Sequence, residues 1–74
     1  MKNTNIMKEQ EITGFKWNIV FYSNDNGMFA QIYDKETEDV IVEDKIKTQE
    51  DYDFALEVFT TADNNVKKSL VEQN

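Results

Sequence analysis

Between Phe15 and Ser23 the odd positions Phe15, Trp17, Ile19 and Phe21 are all large and apolar, while the even positions run Lys16, Asn18, Val20 and Tyr22. A repeat of two belongs to a strand, whose successive side chains point to opposite faces, so this stretch predicts a half-buried β-strand. It runs into Ser23-Asn24-Asp25-Asn26-Gly27. Asn-Gly between two alternating runs predicts a tight hairpin, because both residues tolerate positive φ. Met28 to Asp34 is the returning strand, with Met28, Ala30 and Ile32 on one face and Phe29, Gln31 and Tyr33 on the other. Both faces are largely apolar, so the pattern leaves open which one is covered. The polar Lys35-Glu36-Thr37-Glu38-Asp39 predicts a second turn, and the β-branched Val40-Ile41-Val42 a short third strand.

After Thr48 the period changes. Thr48 is a good N-cap, and Gln49, Glu50 and Asp51 put negative charge at the positive end of a helix dipole. Tyr52, Leu56 and Phe59 then recur at helical spacing, with Ala55 beside them and Val66 and Leu70 farther along. Thr60, Thr61, Asp63, Asn64 and Asn65 are weak helix formers, which predicts a break near 60–65. The expected fold is therefore α+β: a three-stranded antiparallel meander followed by a C-terminal helix (β-β-β-α). It is expected as one domain over 12–74, behind a polar, aperiodic and flexible segment 1–11.

Composition bears first on whether the chain folds. A net charge of −7 and a mean hydropathy of −0.71 lean toward disorder. Five Phe, three Tyr and one Trp, with no proline and only two glycines, outweigh that. For 74 residues, area scaling gives a folded surface of about 4,700 Å² from roughly 12,600 Å² unfolded. That is enough for one modest core but not for the walls of a deep cleft. No stretch approaches the ~20 apolar residues of a membrane span, and the N-terminus lacks the apolar run of a signal peptide. The expected location is the cytoplasm, that of the host cell if the protein is phage-encoded.

The same composition argues against catalysis. There is no His and no Cys, so the commonest general base and the thiol nucleophile are both missing. The two glycines, Gly14 and Gly27, are too far apart for a phosphate-cradling loop. Carboxylate pairs do acid–base work only when a pocket desolvates one of them. Asn24, Asn26 and Gly27 mimic three positions of a calcium loop, but Tyr22 and Tyr33 then fall where acidic ligands belong. The sequence thus predicts no enzyme, no cofactor and no metal.

Charge is the most one-sided feature. From Asp34 to Glu57 there are ten acids against three lysines, a balance of −7, while five acids and five lysines cancel elsewhere. Such a patch repels phosphate and disfavours direct nucleic-acid binding. It attracts a basic groove built for nucleic acid and steers association with it. The candidate partner-binding residues are Glu36, Glu38, Asp39, Glu43, Asp44, Glu50, Asp51 and Asp53, and the expected partner is a basic nucleic-acid-binding protein or nuclease. In the alternative reading the charge serves solubility alone. The aromatics Tyr22, Phe29, Tyr33 and Phe54 exceed what one helix covers, which predicts an exposed apolar patch and, in a second class of reading, a homodimeric interaction module.

The stretch from Val20 to Asp34, a strand leading through an acidic turn and Gly27 into an aromatic-containing strand, resembles the opening hairpin of HicB-type antitoxins. Thr48 and the downstream Ala55-Leu56-Glu57 resemble that family's capped helix. The resemblance implies a β-β-β-α core that neutralises a small ribonuclease toxin. The chain departs from the pattern where Ala55 lies seven residues after Thr48 rather than about four, and where the acidic 35–39 turn replaces a Pro-Gly-Cys-like segment. In size and charge it is also similar to phage anti-defence proteins, including anti-CRISPR proteins and DNA mimics.

Overall fold

In the computed structural model, which describes residues 7–72, four strands precede one helix. They are β1 (Gln10–Thr13), β2 (Trp17–Asn24), β3 (Gly27–Asp34), β4 (Val40–Ile46) and α1 (Gln49–Glu72). The strands lie in the order β1-β2-β3-β4, each antiparallel to its neighbour. The meander and C-terminal helix stand as expected, but with four strands in place of three.

The additional strand begins before the expected domain boundary at residue 12. It sets Gln10 opposite Phe21 and Ile12 opposite Ile19. Gln10 and Ile12 turn inward while Glu11 and Thr13 are exposed. The Gln10 amide donates to the Tyr52 hydroxyl at 2.6 Å, so a polar side chain docks this edge strand on the helix. Residues 1–6 of the expected flexible segment lie outside the described residues.

Each hairpin is shaped by a side chain. Asn24 and Gly27 face each other across the β2–β3 turn, and the Asn24 carbonyl oxygen accepts the Asn26 N–H at 2.8 Å. Only Gly27 takes positive φ there, at 126°, and Asn26 does not. In the β3–β4 turn the buried Asp34 carboxylate accepts the N–H groups of Glu36 and Thr37 at 2.8 and 3.0 Å, and Lys16 pairs with it at 3.2 Å. This turn closes only because Glu38 adopts φ 66°, in the left-handed region. The third expected strand, Val40–Val42, extends through Glu43, Asp44 and Lys45 to Ile46, with an irregularity in its register opposite Ile32 and Tyr33.

The helix settles which face is covered. Ile19, Phe21, Ala30 and Ile46 of the sheet and Tyr52 and Phe59 of the helix form the buried core, flanked by Ile12, Trp17, Met28, Ile32, Ala55 and Leu56. The rings of Phe21 and Tyr52 stack at 4.1 Å. Phe15, expected on the buried side, precedes β2 and is exposed. The opposite sheet face carries the Tyr22–Phe29 stack at 5.5 Å, with Lys45 over Phe29. With that face open, the surface of 5327 Å² exceeds the roughly 4,700 Å² of a rounder chain this size.

Thr48 caps the helix as expected. Its hydroxyl accepts the Asp51 N–H at 3.2 Å, and the Asp51 carboxylate in turn accepts the N–H groups of Thr48 and Lys47. The predicted break at 60–65 does not occur; α1 is continuous from Gln49 to Glu72. Asp63, one of the weak helix formers, is buried and accepts the N–H groups of Phe15, Lys16 and Trp17 at 2.6, 2.8 and 3.1 Å. Hydrogen bonds to a charged acceptor contribute on the order of 1.5–3 kcal/mol each. The propensity deficit of one such residue is only about 0.7 kcal/mol. Tertiary bonding holds the helix through its weak stretch.

Candidate docking edge along β4

The strand at the centre of the acidic window is an edge strand: among the described residues β4 pairs with β3 on one side only. Its outer flank therefore presents unpaired backbone N–H and C=O groups. Side chains alternate across it. Val42, Asp44 and Ile46 lie opposite Ile32, Ala30 and Met28 on the helix-covered face, and Glu43 and Lys45 lie opposite Gln31 and Phe29 on the other.

The eight candidate acids do not form one cluster. Glu36, Glu38 and Asp39 sit in the turn at one end of β4, and Glu50, Asp51 and Asp53 sit in the first turns of α1 at the other. Seven residues of strand, about 23 Å, separate the two groups. Glu43 and Asp44 lie between them on opposite faces. The carboxylates thus run along the whole edge, and seven of the eight are exposed.

Two of the eight are engaged by their own fold. Asp51, the one that is half-buried, belongs to the helix cap. Glu43 accepts the Tyr22 hydroxyl and, at 3.3 Å, the Gln31 amide. That carboxylate raises the Tyr22 pKa above its ordinary value, chiefly through the hydrogen bond and then through desolvation and repulsion. Asp53 accepts only the neutral Gln49 amide, at 3.0 Å. Among the described residues the one ion pair is Lys16–Asp34, outside the eight, so no lysine neutralises the edge by direct contact. Nor do any three acidic side chains among the described residues converge as metal ligands would.

Beside this edge lies an apolar groove that the acidic pattern did not disclose. The helix starts at the end of β4 and inclines toward the β1–β2 turn, where Asp63 is bound. The corner formed by β3 and β4 is left partly uncovered. Ile32 and Val42 of the sheet and Phe54, Ala55 and Val58 of the helix line a groove of about 50 Å³ there, with Asp44 at its margin. That volume is far below the 300–1,000 Å³ of a small-molecule site.

Phe54 is 67% exposed, and Glu50, Asp51, Asp53 and Glu57 surround it. Val40, Ile41, Val42 and Val58 are also exposed. Of the four aromatics expected in excess, Tyr22, Phe29 and Tyr33 are half-buried on the open sheet face, and Phe54 alone projects. The sequence signal for the groove is a second i, i+4 pair, Phe54 and Val58, offset from the Tyr52–Leu56–Phe59 stripe. No helix among the described residues is long and apolar enough to cross a membrane. Comparison with protein-family models, with curated proteins and with solved structures finds no match.

Proposed function

We infer that the protein is a non-enzymatic acidic inhibitor that occupies the basic surface of a nucleic-acid-handling protein, as an anti-defence protein or an antitoxin does. One observation carries the reading: a row of largely exposed carboxylates spans the β4 edge and no lysine among the described residues is ion-paired to it. A row of negative charge on a rigid edge is the electrostatic counterpart of a groove that holds a phosphate backbone. Glu36, Glu38, Asp39, Asp44, Glu50 and Asp53 carry the contact. Glu43 and Asp51 contribute charge from positions fixed by their own hydrogen bonds.

The test is affinity capture at low salt with the intact protein and with a charge-reversed variant in which Glu36, Glu38, Asp39 and Asp53 become Lys. The expected result is a nucleic-acid-binding protein retained by the first and not by the second, and displaced by competing double-stranded DNA or by raised salt. Exposed charges are screened within about 10 Å at 0.1 M ionic strength. Equal capture by both proteins, insensitive to salt, would overturn the reading. A small ribonuclease encoded beside the gene favours the antitoxin form, and a large effector nuclease as the captured species favours the anti-defence form.

A second reading, a homodimeric interaction module, draws on the exposed Val40, Ile41, Val42, Phe54 and Val58. It predicts a dimer in solution that survives charge reversal.

A further inference from the structure

We propose that the free edge of β4 is a strand-addition site whose occupant is an extended segment of the partner, basic at both ends and apolar along one side of its centre. The proposal deepens the inhibitor reading and rests on it, because it names how the basic partner is held.

Three features of the edge converge on this occupant. The first is the backbone. Among the described residues the outer flank of Val40–Ile46 has no strand beside it, and added strands gain main-chain hydrogen bonds along such a flank. Sheets blunt an exposed edge with lysine, proline, bulges or inward charges; β4 has no proline, and its register irregularity is confined to the end opposite Ile32 and Tyr33. Here Lys45 is drawn over the Phe29 ring at 5.9 Å, and Val40, Ile41 and Val42 are 52%, 55% and 41% exposed.

The second is the groove. Side chains of an added strand alternate, so those on the helix side pass beside Val42, Phe54 and Val58. An apolar side chain at that parity covers the exposed ring of Phe54 and removes apolar surface from water. The opposite parity passes Glu43, whose carboxylate is already held over the sheet by the Tyr22 hydroxyl and the Gln31 amide and contributes charge alone. Asp44 has the apolar Ala30 as its cross-strand partner and lines the groove beside Phe54. Neither acid is ion-paired among the described residues, and Asp44, on the groove side, is the one placed to meet a cation from an added strand.

The third is the disposition of charge at the ends. Glu36, Glu38 and Asp39 stand beyond one end of β4 and Glu50, Asp51 and Asp53 beyond the other. A segment that runs the length of the strand brings its two termini to these groups, so cations belong there. A second copy of this chain is disfavoured for the same reason, because pairing β4 with β4 brings together the two regions that hold the whole net charge of each copy. Like charges set opposite each other across a strand pair are destabilising.

The test uses the intact protein and a synthetic peptide of lysines flanking alternating Val and Thr, long enough to span β4. Amide resonances report binding by NMR titration. Three controls accompany it: a peptide with glutamate in place of lysine, a Lys/Val/Thr peptide N-methylated on its hydrogen-bonding edge, and a cationic amphipathic helical peptide. The expected result is slowed exchange of the Val40–Ile46 amides with the first peptide only. Affinity should fall roughly tenfold, about 1.4 kcal/mol, in Phe54→Ser and in Asp44→Lys.

If the N-methylated or helical peptide binds as tightly and the β4 amides do not change, strand addition is overturned while the acidic-edge reading stands. If no cationic peptide of any form binds more tightly than the glutamate control, the acidic-edge reading falls with it. Concentration-dependent protection of the same amides in the protein alone would make a second copy the occupant and would overturn the proposal.

Discussion

The Asp63 carboxylate accepts the backbone N–H of Lys16 at 2.8 Å across 47 positions of sequence. The same side chain holds the N–H groups of Phe15 and Trp17, so the far part of the helix is clasped to the β1–β2 turn. Gly14 belongs to the clasp. A Cβ there would lie 2.5 Å from the Trp17 carbonyl oxygen and 2.7 Å from the Asp63 carboxylate. Asp63→Ala strands three donors and should cost about 3 kcal/mol in urea unfolding, with unchanged slope. Asp63→Asn keeps one acceptor oxygen and should cost less. Gly14→Ala should be strongly destabilising, and combined with Asp63→Ala it should cost less than the two separate losses together, because both act on one contact.

The acid limb of stability should follow two carboxylates. Burial opposes ionisation of Asp63, but its three backbone donors, with Lys35 nearby, hold its pKa below the ordinary value. The N–H groups of Thr37 and Glu36, with Lys16, do the same for Asp34. A carboxyl whose folded pKa is depressed contributes stability that is complete above the unfolded pKa, about 3.9, and lost as pH falls through the folded value. The urea midpoint should therefore be level near neutrality and drop below pH 4, and Asp63→Asn should flatten that drop.

The alkaline limb has the opposite sign. Tyr33 is hydrogen-bonded to Glu11, which raises its pKa, as Glu43 raises that of Tyr22. A raised phenol contributes stability below its unfolded pKa of about 10 that is lost as pH climbs through the folded value. Spectrophotometric titration should show two late tyrosines, and Glu11→Gln and Glu43→Gln should each bring one back.

Glu38 occupies the left-handed region at φ 66°, where a Cβ costs on the order of 1–2 kcal/mol. Glu38→Gly should stabilise the fold by about 1 kcal/mol after the entropic cost of glycine, a rise in Tm of roughly 4–8 °C. It also removes one carboxylate from the end of β4. A variant that melts higher yet binds its partner more weakly would separate the two roles of this residue.

Tyr52 and Phe54 stand two positions apart on the helix and should behave in contrary ways. Tyr52 is fully buried against Phe21, so Tyr52→Ala should cost roughly 3–5 kcal/mol and Tyr52→Phe about 1 kcal/mol through the lost bond from Gln10. Phe54→Ala should change stability by less than about 1 kcal/mol, because its ring is largely in water. Thermal unfolding of the three variants distinguishes the core aromatic from the displayed one.

The central hairpin and the helix cap were legible because each signal is local. Alternation marks β2 and β3, and Thr48 followed by Asp51 marks the start of α1. The signals that failed depend on distant partners. β1 has one apolar residue, Ile12, and is recruited by backbone pairing and by the Gln10–Tyr52 bond, neither visible in a short polar run. The break foreseen at 60–65 rested on propensity, which the contact between Asp63 and residues 15–17 overrides. The placement of acids along one edge followed from the order of the elements. The groove did not, because it depends on the angle at which the helix crosses the sheet.

That angle divides the labour of the sequence. One corner of the sheet is clamped by a buried carboxylate and tolerates little change, whereas the opposite corner is only partly covered. Residues along the uncovered corner can be exchanged at small cost to folding, so selection can redraw what the molecule displays there without first re-solving how it holds together. For a protein of 74 residues, such independence is a route to new partners on an unaltered frame.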